Sequence, residues 1–315
     1  MDPLSDVLSL LKPRNYLSAG FEAGGDWAVQ FPDQQRGIKS GAVVAGRCWL
    51  AVEGVADAAL LEQGDSFLLP SGRPFRLATD LALPPVEATA IFNERRTGNM
   101  IALNGGSDFS LVSSRFALDG DQALILLRML PPIVHIRHEP GEDDLRWCCE
   151  RMMMELRAPK PGGYLIAQYL SHMILVQALR RHLTDRPDND VGWLFALADR
   201  QIGAAIQAMH REPAHRWTLQ ELGERAGMSR SIFALRFKEM VGETPMEYLT
   251  RWRMFVAADR LEYGVERVSA LAPSLGYESE SAFSTAFKRI MGHSPRQHGR
   301  RHPPLFTADP LKAAE

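Results

Sequence analysis

Two sets of hydroxyl-bearing, small and basic side chains recur in the last third of the 315-residue chain. Serine and threonine hydroxyls donate and accept hydrogen bonds, lysine and arginine pair with phosphates, and small apolar side chains contact the thymine methyl group. These residue types suit contacts in a DNA major groove. The first set is Ser229, Arg230, Ser231, Ala234, Leu235 and Lys238, and the second is Ser279, Glu280, Ser281, Ser284, Thr285 and Lys288.

Both sets belong to an internal repeat. The segment 222–245 recurs as 271–295, with one extra residue in the turn of the second copy. In each copy two phenylalanines four positions apart fall on one face of a helix, which predicts that this face is buried and that the polar set lies on the opposite face. The paired residues are Phe233 and Phe237 in the first copy, and Phe283 and Phe287 in the second.

Each copy predicts a helix-turn-helix motif, at about 218–241 and 268–291. Gly227 or Gly276 supplies the turn, and Ser229 or Ser279 begins the second helix. The sequence Thr218-x-x-Glu221 predicts a capping box at the start of the first motif. An αα-hairpin that serves only packing is the alternative, but the matched turns and the Gly-x-x-Pro that ends both copies favour helix-turn-helix motifs.

The doubled motif, with a long helix from about Pro245 to Gly264 between its copies, resembles the DNA-binding module of AraC/XylS-type bacterial transcription regulators. The match spans Trp217 to His298 and includes GYESESAFSTAFKRIMGHSP. The resemblance implies that the two recognition helices enter adjacent major grooves of promoter DNA, and that RNA polymerase is a partner. Three positions depart from the family pattern: Leu235, where a basic or polar residue is common, Pro273, inside a helix, and His298, where tyrosine is usual.

The first 182 residues resemble the cupin-like sensor domain of one branch of these regulators. Gly64 to Gly72 fits Gly-x5-Pro-x-Gly, a turn-strand-turn element of cupin barrels, and short strand-like runs extend from Gly41 to the segment EATAIF before Asn93. A barrel encloses a cavity, which suits a small apolar or aromatic effector. The residues expected to line this cavity are Cys48, Leu50, Phe67, Leu69 and Phe75.

A metal cofactor and an enzymatic activity are not expected. Catalytic cupins use histidines on one strand and after the Pro-x-Gly turn, but the stretch 40–61 has no histidine, and Phe75 and Arg76 stand after the turn. His135 and His138 are the only close pair, and residues three apart on a strand point to opposite faces. A cupin-type metalloenzyme is the remote alternative.

The three cysteines raise a second possibility for the signal, oxidation or an electrophile. Arg146 and Arg151 flank Cys148 and Cys149 and could lower a thiol pKa, so a redox- or electrophile-sensing regulator that uses these residues or Cys48 is the alternative. On a helix, however, Leu145, Cys148, Met152 and Leu156 form one apolar stripe. That stripe predicts Cys148 as a small core residue.

The composition and charge exclude several classes of protein. The content of 45% hydrophobic and 23% charged residues is typical of a globular protein. Three cysteines are too few for a disulfide framework, and the N-terminal sequence MDPLSDVL lacks the features of a signal peptide. No stretch predicts a membrane span, so we expect a cytoplasmic bacterial protein that is nucleoid-associated when bound to DNA. From Trp193 to His302 there are 16 Lys and Arg against 12 Asp and Glu, although the net charge of the chain is −2, which is typical of a basic module joined to an acidic one.

These patterns predict an α+β protein with two domains. Residues 1–183 form a cupin-like antiparallel β barrel with helices at about 143–182, residues 184–192 a linker, residues 193–300 an all-α double helix-turn-helix domain, and residues 301–315 a disordered tail. The helix 164–182 carries an apolar stripe that favours a homodimer contact, with burial inside its own domain as the alternative. An activator is the working assignment, and repression is left open.

Overall fold

The computed structural model describes residues 2–33, 37–94, 100–106, 108–118, 130–139, 143–184, 193–263 and 266–301. The described residues divide into two compact units, a β unit and a helical unit. The β unit contains residues 13–118 and 130–184, and the helical unit contains residues 2–12 and 193–301. The predicted linker at 184–192 and tail at 301–315 lie almost entirely outside the described residues.

The β unit is built from two sheets. The six-stranded sheet has the order β11-β6-β3-β10-β1-β9, and the five-stranded sheet has the order β5-β4-β7-β2-β8. The strands are β1 (Arg14–Ala23), β2 (Ala28–Phe31), β3 (Ile38–Ala45), β4 (Cys48–Val52), β5 (Ala59–Leu61), β6 (Ser66–Leu69), β7 (Phe75–Ala78), β8 (Val86–Glu87), β9 (Met100–Leu103), β10 (Phe109–Ala117) and β11 (Val134–Ile136).

The two sheets correct the expectation of a closed antiparallel barrel. The pairs β1–β9 and β2–β8 are parallel, and the other described pairs are antiparallel. The chain leaves one sheet and begins the other at Gly46, whose φ of 78° places it in the left-handed region and whose added Cβ would lie 2.4 Å from the Asp108 carbonyl oxygen. Because β3 belongs to one hydrogen-bonded sheet and β4 to the other, the described strands form a cupin-like sandwich of two sheets, not a closed barrel.

Two apolar clusters hold the β unit together. One fills the space between the sheets and includes Phe21 and Phe67 of the six-stranded sheet with Leu50 and Phe75 of the five-stranded sheet. The other packs α3 (Asp143–Arg157) and α4 (Gly163–Thr184) on the outer face of the six-stranded sheet. These helices confirm the helical pattern predicted at about 143–182.

One predicted strand is wrong. The segment EATAIF, expected to be extended, contributes only Glu87 to β8 and then begins α2 (Ala88–Glu94). Ala88 and Ile91 are buried while the two residues between them are exposed, a spacing of three that fits a helix. Alanine, which favours helices, occupies two of its six positions.

The helical unit contains nine described helices. Although α1 lies at the start of the chain, it groups with this unit. No helix in the described parts of the chain is both long and apolar enough to cross a membrane. The helices are α1 (Pro3–Leu11), α5 (Trp193–Ala198), α6 (Ile202–Arg211), α7 (Leu219–Arg225), α8 (Arg230–Val241), α9 (Pro245–Tyr263), α10 (Val268–Ser274), α11 (Glu280–Met291) and α12 (Pro295–Arg301).

Candidate nucleic-acid interface

The predicted capping box starts the first helix-turn-helix motif. The Thr218 hydroxyl accepts a hydrogen bond from the Glu221 backbone N–H at 3.2 Å, and the Glu221 carboxylate accepts one from the Thr218 N–H at 2.8 Å. The hydrogen bonds from the Thr218 backbone and side chain hold the pKa of Glu221 below its ordinary value. The start of α7 is thereby fixed by local chemistry.

The phenylalanine pairs bury one face of each recognition helix, α8 and α11. All four rings are fully buried. The ring centroids of Phe233 and Phe237 lie 5.6 Å apart, and those of Phe283 and Phe287 lie 5.9 Å apart. The predicted burial is confirmed in both copies, so each helix presents its opposite face outward.

The predicted contact residues lie on that outward face. Leu235 is 62% exposed, and only Ala234 and Ser284 are half-buried. Ser229 and Ser279 are N-caps, whose hydroxyls accept hydrogen bonds from the N–H groups of Ile232 at 3.4 Å and Ala282 at 3.2 Å. Exposed members of the two sets are Ser229, Arg230, Ser231, Leu235, Lys238, Ser279, Glu280, Ser281, Thr285 and Lys288.

Sequence reasoning missed four exposed residues on the same helices. Ile232 is 60% exposed beside Ser231, Glu239 is exposed beside Lys238, and Ala282 and Arg289 are exposed on α11. Their positions next to predicted contact residues were the available signal. Arg289 adds a second cation beside Lys288, which suits a phosphate contact.

The recognition helices are positioned by arginines that were not predicted. Arg236 of α8 donates to the Asp199 carboxylate at 3.0 Å and to the Gln201 side-chain oxygen at 2.8 Å. The Gln201 amide in turn donates to the Ala226 carbonyl in the turn at 3.1 Å. This network joins α8 and its turn to the start of α6.

The second motif has an equivalent support. Arg253 of α9 donates to the Pro213 carbonyl at 2.5 Å and lies 5.8 Å from the Tyr277 ring centroid. Gly276 has a φ of 79°, and a Cβ there would lie 2.5 Å from the Ala214 carbonyl oxygen. A side chain at position 276 would therefore push this turn away from the segment before the first motif.

Both motifs end in the same way. Gly242 and Gly292 take left-handed C-cap conformations, and Pro245 and Pro295 begin the next helices. Thr244 with Glu247, and Ser294 with Gln297, form matching pairs of reciprocal hydrogen bonds. The repeat seen in the sequence is therefore a repeat of caps and turns.

Two departures from the family pattern have local explanations. Pro273 is the last but one residue of α10, so its missing N–H interrupts little of the helix. His298 is fully buried, its Nε2 lies 3.2 Å from the Ala258 carbonyl, and its Nδ1 lies 2.9 Å from Nε2 of His293. A histidine pair thus occupies the position expected for an aromatic ring.

The cysteines lie in the β unit and are buried. Burial raises the pKa of Cys48 and of Cys149 to about 12, and it also raises the pKa of Cys148. Cys148 packs with Met152 and Leu156, as its predicted stripe requires. Cys149 lines a cavity of about 320 Å³ between α3 and the C-terminal end of β3. The lining residues are Val43, Val44, Gln63, Gly64, His138, Arg146, Cys149 and Glu150.

The five residues proposed to line an effector cavity all lie in the core between the sheets. Each is at most 1% exposed, and the Phe75 ring stacks on Phe31 with centroids 4.5 Å apart. The residues are Cys48, Leu50, Phe67, Leu69 and Phe75. The structure brings them together, and their role in binding stays a prediction.

The close histidine pair, His135 and His138, contacts Asp65, the residue just before β6. His135 lies 2.9 Å from Asp65 through Nε2, and the His138 backbone N–H donates to Asp65 at 2.8 Å. Burial raises the pKa of Asp65, but hydrogen bonds from His135 and from the backbone of His138 and Glu62 outweigh it and hold this pKa below its ordinary value. Among the described residues no group of three or more His, Cys, Asp or Glu could hold a metal ion.

Comparison with known proteins covers both halves of the chain. Residues 2–184 match a family described as Cupin, and residues 222–301 match one described as Helix-turn-helix domain. The predicted cupin-like and helix-turn-helix assignments are thereby confirmed.

Relatives of similar length also match. The chain is 42% identical over 305 residues to an AraC-like transcription regulator of Streptomyces antibioticus, covering 96% of this chain and 99% of that protein. It is 29% identical over 307 residues to the HTH-type transcriptional regulator AlkR of Acinetobacter baylyi, covering 95% and 99%. It is 27% identical over 304 residues to the RCS-specific HTH-type transcriptional activator RclR of Escherichia coli, covering 96% and 98%.

Proposed function

The chain belongs to the AraC-like transcription regulators and binds DNA through its helix-turn-helix unit, and we propose that a signal received in the β unit controls this binding. The match of residues 2–184 to a family described as Cupin supports the proposed control. The observation that carries the DNA-binding assignment is the duplicated recognition helix. In both copies a phenylalanine pair is buried and a matched polar set is exposed. We further propose that the protein has no enzymatic activity of its own, as its named relatives are transcription regulators.

We propose that α8 and α11 contact adjacent major grooves about one helical turn apart. Footprinting on promoter DNA tests this. Ser231→Ala or Leu235→Ala should alter protection in one half of the footprint, and Ser281→Ala or Thr285→Ala in the other. Lys160→Ala, an exposed residue of the β unit, is the matched control and should leave the footprint unchanged. If all four variants altered the same half, the bipartite arrangement would be wrong.

The affinity should depend strongly on salt. Each Lys or Arg that neutralises a phosphate releases counterions, so the logarithm of the binding constant falls linearly with the logarithm of salt concentration. Lys238→Ala and Lys288→Ala should each lower the slope by about one. If the salt dependence had the same slope in these variants and in the parent protein, neither lysine would contact a phosphate.

For the signal, a small apolar or aromatic effector in the β unit is the first proposal. Its support is the apolar core between the sheets, which contains the five residues named above.

A redox signal is the second proposal, because a relative is named an RCS-specific activator and two cysteines are adjacent on α3. Burial raises all three thiol pKa values, which disfavours the reactive thiolate. A Cys148→Ser, Cys149→Ser double variant that loses its response to hypochlorite would favour the redox signal.

We also propose a homodimer through α4. Leu165, Tyr169 and Met173 are exposed at successive helical turns, and Tyr169 is 69% exposed. An apolar stripe with this spacing is typical of a helix–helix contact. Tyr169→Glu should therefore convert a dimer to a monomer in sedimentation experiments, and a dimeric Tyr169→Glu variant would refute this interface. RNA polymerase as a partner, and a cytoplasmic or nucleoid location, complete the proposal.

A further inference from the structure

Two large aliphatic side chains are exposed next to each other on the first recognition helix. Ile232 is 60% exposed and Leu235 is 62% exposed, and residues three apart on a helix are neighbours on its surface. In the described part of the helical unit, one other large apolar side chain is exposed, that of Met246 near the start of α9. The exposed large apolar residues of this unit are thus concentrated on α8.

The packing of the repeat does not account for this pair. Both recognition helices have 12 residues and begin after the N-caps Ser229 and Ser279, so positions 232 and 235 of α8 correspond to 282 and 285 of α11. The second helix has Ala282 and Thr285 at these positions, and its phenylalanine pair is as fully buried as that of α8. The fold of the motif therefore does not require large aliphatic side chains there, and they distinguish the outward face of α8 from that of α11.

The residues around the aliphatic pair suit DNA. Arg230 and Ser231 precede it, Lys238 follows Leu235 by three positions, and all three flanking residues are exposed. In a major groove the phosphates line the edges and the bases present their edges on the floor, so cations on both sides of an apolar pair match this surface. Glu239, the carboxylate of α8, lies a full turn beyond Leu235, towards the end of the helix. This arrangement suits contact of the aliphatic pair with bases while the cations contact phosphates.

We propose that Ile232 and Leu235 contact thymine methyl groups, so that thymine specifies the half of the binding site that α8 contacts. Thymine presents a methyl group in the major groove, whereas the edges of the other bases present hydrogen-bond donors and acceptors that an aliphatic side chain cannot pair with. The proposal rests on the proposed placement of α8 in a major groove, and it assigns that groove a base. The half contacted by α11, which has the smaller Ala282 and Thr285, depends less on these methyl groups.

Replacement of thymine by deoxyuridine tests the proposal, because it removes the methyl group and keeps the base pairing. The probe is a duplex that the full-length protein selects from random-sequence DNA, with its halves assigned by the footprints of the Ser231→Ala and Ser281→Ala variants. Deoxyuridine in the half contacted by α8 should lower the affinity, measured by fluorescence anisotropy, about fourfold for each methyl group contacted. The same replacement in the other half should lower it no more than about twofold, because Ala282 and Thr285 offer less apolar surface.

A double variant, Ile232→Ala with Leu235→Ala, connects the methyl groups to these two side chains. It should bind the unmodified duplex at least tenfold more weakly than the parent protein and should lose most of the sensitivity to deoxyuridine. Both residues are exposed and alanine favours helices, so the variant should fold like the parent. Met246→Ala, which removes the exposed apolar side chain that lies outside α8, is the matched control. It should retain the affinity of the parent and its sensitivity to deoxyuridine.

Three results would overturn the proposal. The first is a selected half-site for α8 that contains no thymine, and the second is an affinity that deoxyuridine leaves unchanged there or lowers equally in both halves. The third is a double variant as sensitive to deoxyuridine as the parent, because other residues would then contact the methyl groups. All three leave the bipartite arrangement intact, since the footprints on unmodified DNA test it separately. If those footprints changed in the same half for both serine variants, the arrangement on which the proposal rests would be wrong.

Discussion

At the level of single residues, the recognition helices separate stability from DNA contact. Phe283 is fully buried on α11, whereas Thr285, two positions on, is exposed. Phe283→Ala should lower the free energy of unfolding by about 3–5 kcal/mol because it leaves a cavity. Thr285→Ala should change it by no more than about 0.5 kcal/mol. Urea unfolding followed by circular dichroism measures both.

Phe283→Leu is the control for this prediction. It keeps most of the buried volume and should cost less than Phe283→Ala. Thr285→Ala should instead weaken promoter binding by about 0.5–1.5 kcal/mol, the net contribution of one hydrogen bond from its hydroxyl. A large loss of stability on replacing Thr285 would mean that the exposed face of α11 contributes to packing.

Sequence periodicity was sufficient to place these residues, but not those of the β unit. The phenylalanines are four positions apart on one helix, so local spacing fixes their common face. Lys39 and Arg115 meet only through the register of β3 against β10, and Asp65 meets His135 through β6 against β11. Such register depends on tertiary pairing that no local pattern encodes.

At the level of elements, the helix starts are set by local chemistry. The hydroxyls of Thr218 and Thr244 each accept a hydrogen bond from the backbone N–H of the glutamate three residues on. The backbone N–H of each threonine in turn donates to the carboxylate of that glutamate. Thr218→Ala should lower the free energy of unfolding by about 1 kcal/mol, because it leaves an N–H of the first turn without its acceptor. Thr218→Ser keeps the hydroxyl and should be nearly neutral. Thermal unfolding of the three proteins distinguishes these effects, and equal unfolding temperatures would exclude a contribution from the cap.

Helices with strong end signals were predictable, and short strands were not. The recognition helices begin at Ser229 and Ser279 and end before glycine, as caps and C-caps require. The strands β8 and β9 are two and four residues long, and both pair in parallel with distant strands. Elements this short carry too little alternation to be recognised, which is why EATAIF was misassigned.

At the level of the whole molecule, chain order and three-dimensional grouping differ. The first helix, α1, precedes the β unit in the sequence but packs in the helical unit. The ammonium of Lys12, the C-cap residue of α1, lies 2.5 Å from the Asp259 carboxylate of α9. The carboxylate of Asp6 in α1 lies 3.4 Å from Nδ1 of His210 on α6. The sequence alone assigned these residues to the N-terminal domain, because an amphipathic helix does not specify which surface it covers.

The burial of His210 makes the stability of the helical unit dependent on pH, and Asp6 of α1 moderates this dependence. His210 stacks on Trp252 with centroids 3.5 Å apart, and its Nε2 lies 2.8 Å from the Tyr248 hydroxyl. Burial lowers the pKa of His210 below its ordinary value of 6.5, although Asp6 opposes this shift. The imidazole is therefore neutral when folded, at pH values where the unfolded chain begins to take up a proton.

His210 thus contributes stability above about pH 6.5 that is lost as the pH falls, because the unfolded state then binds the additional proton. The unfolding temperature of the parent protein should decrease from about pH 7.5 to about pH 5.5. His210→Phe keeps a ring over Trp252 and should remove most of that decrease. Asp6→Asn should enlarge it, since removing the carboxylate of α1 lowers the pKa of His210 further. Calorimetry at several pH values measures all three, and identical profiles for the parent and His210→Phe would show that another group titrates.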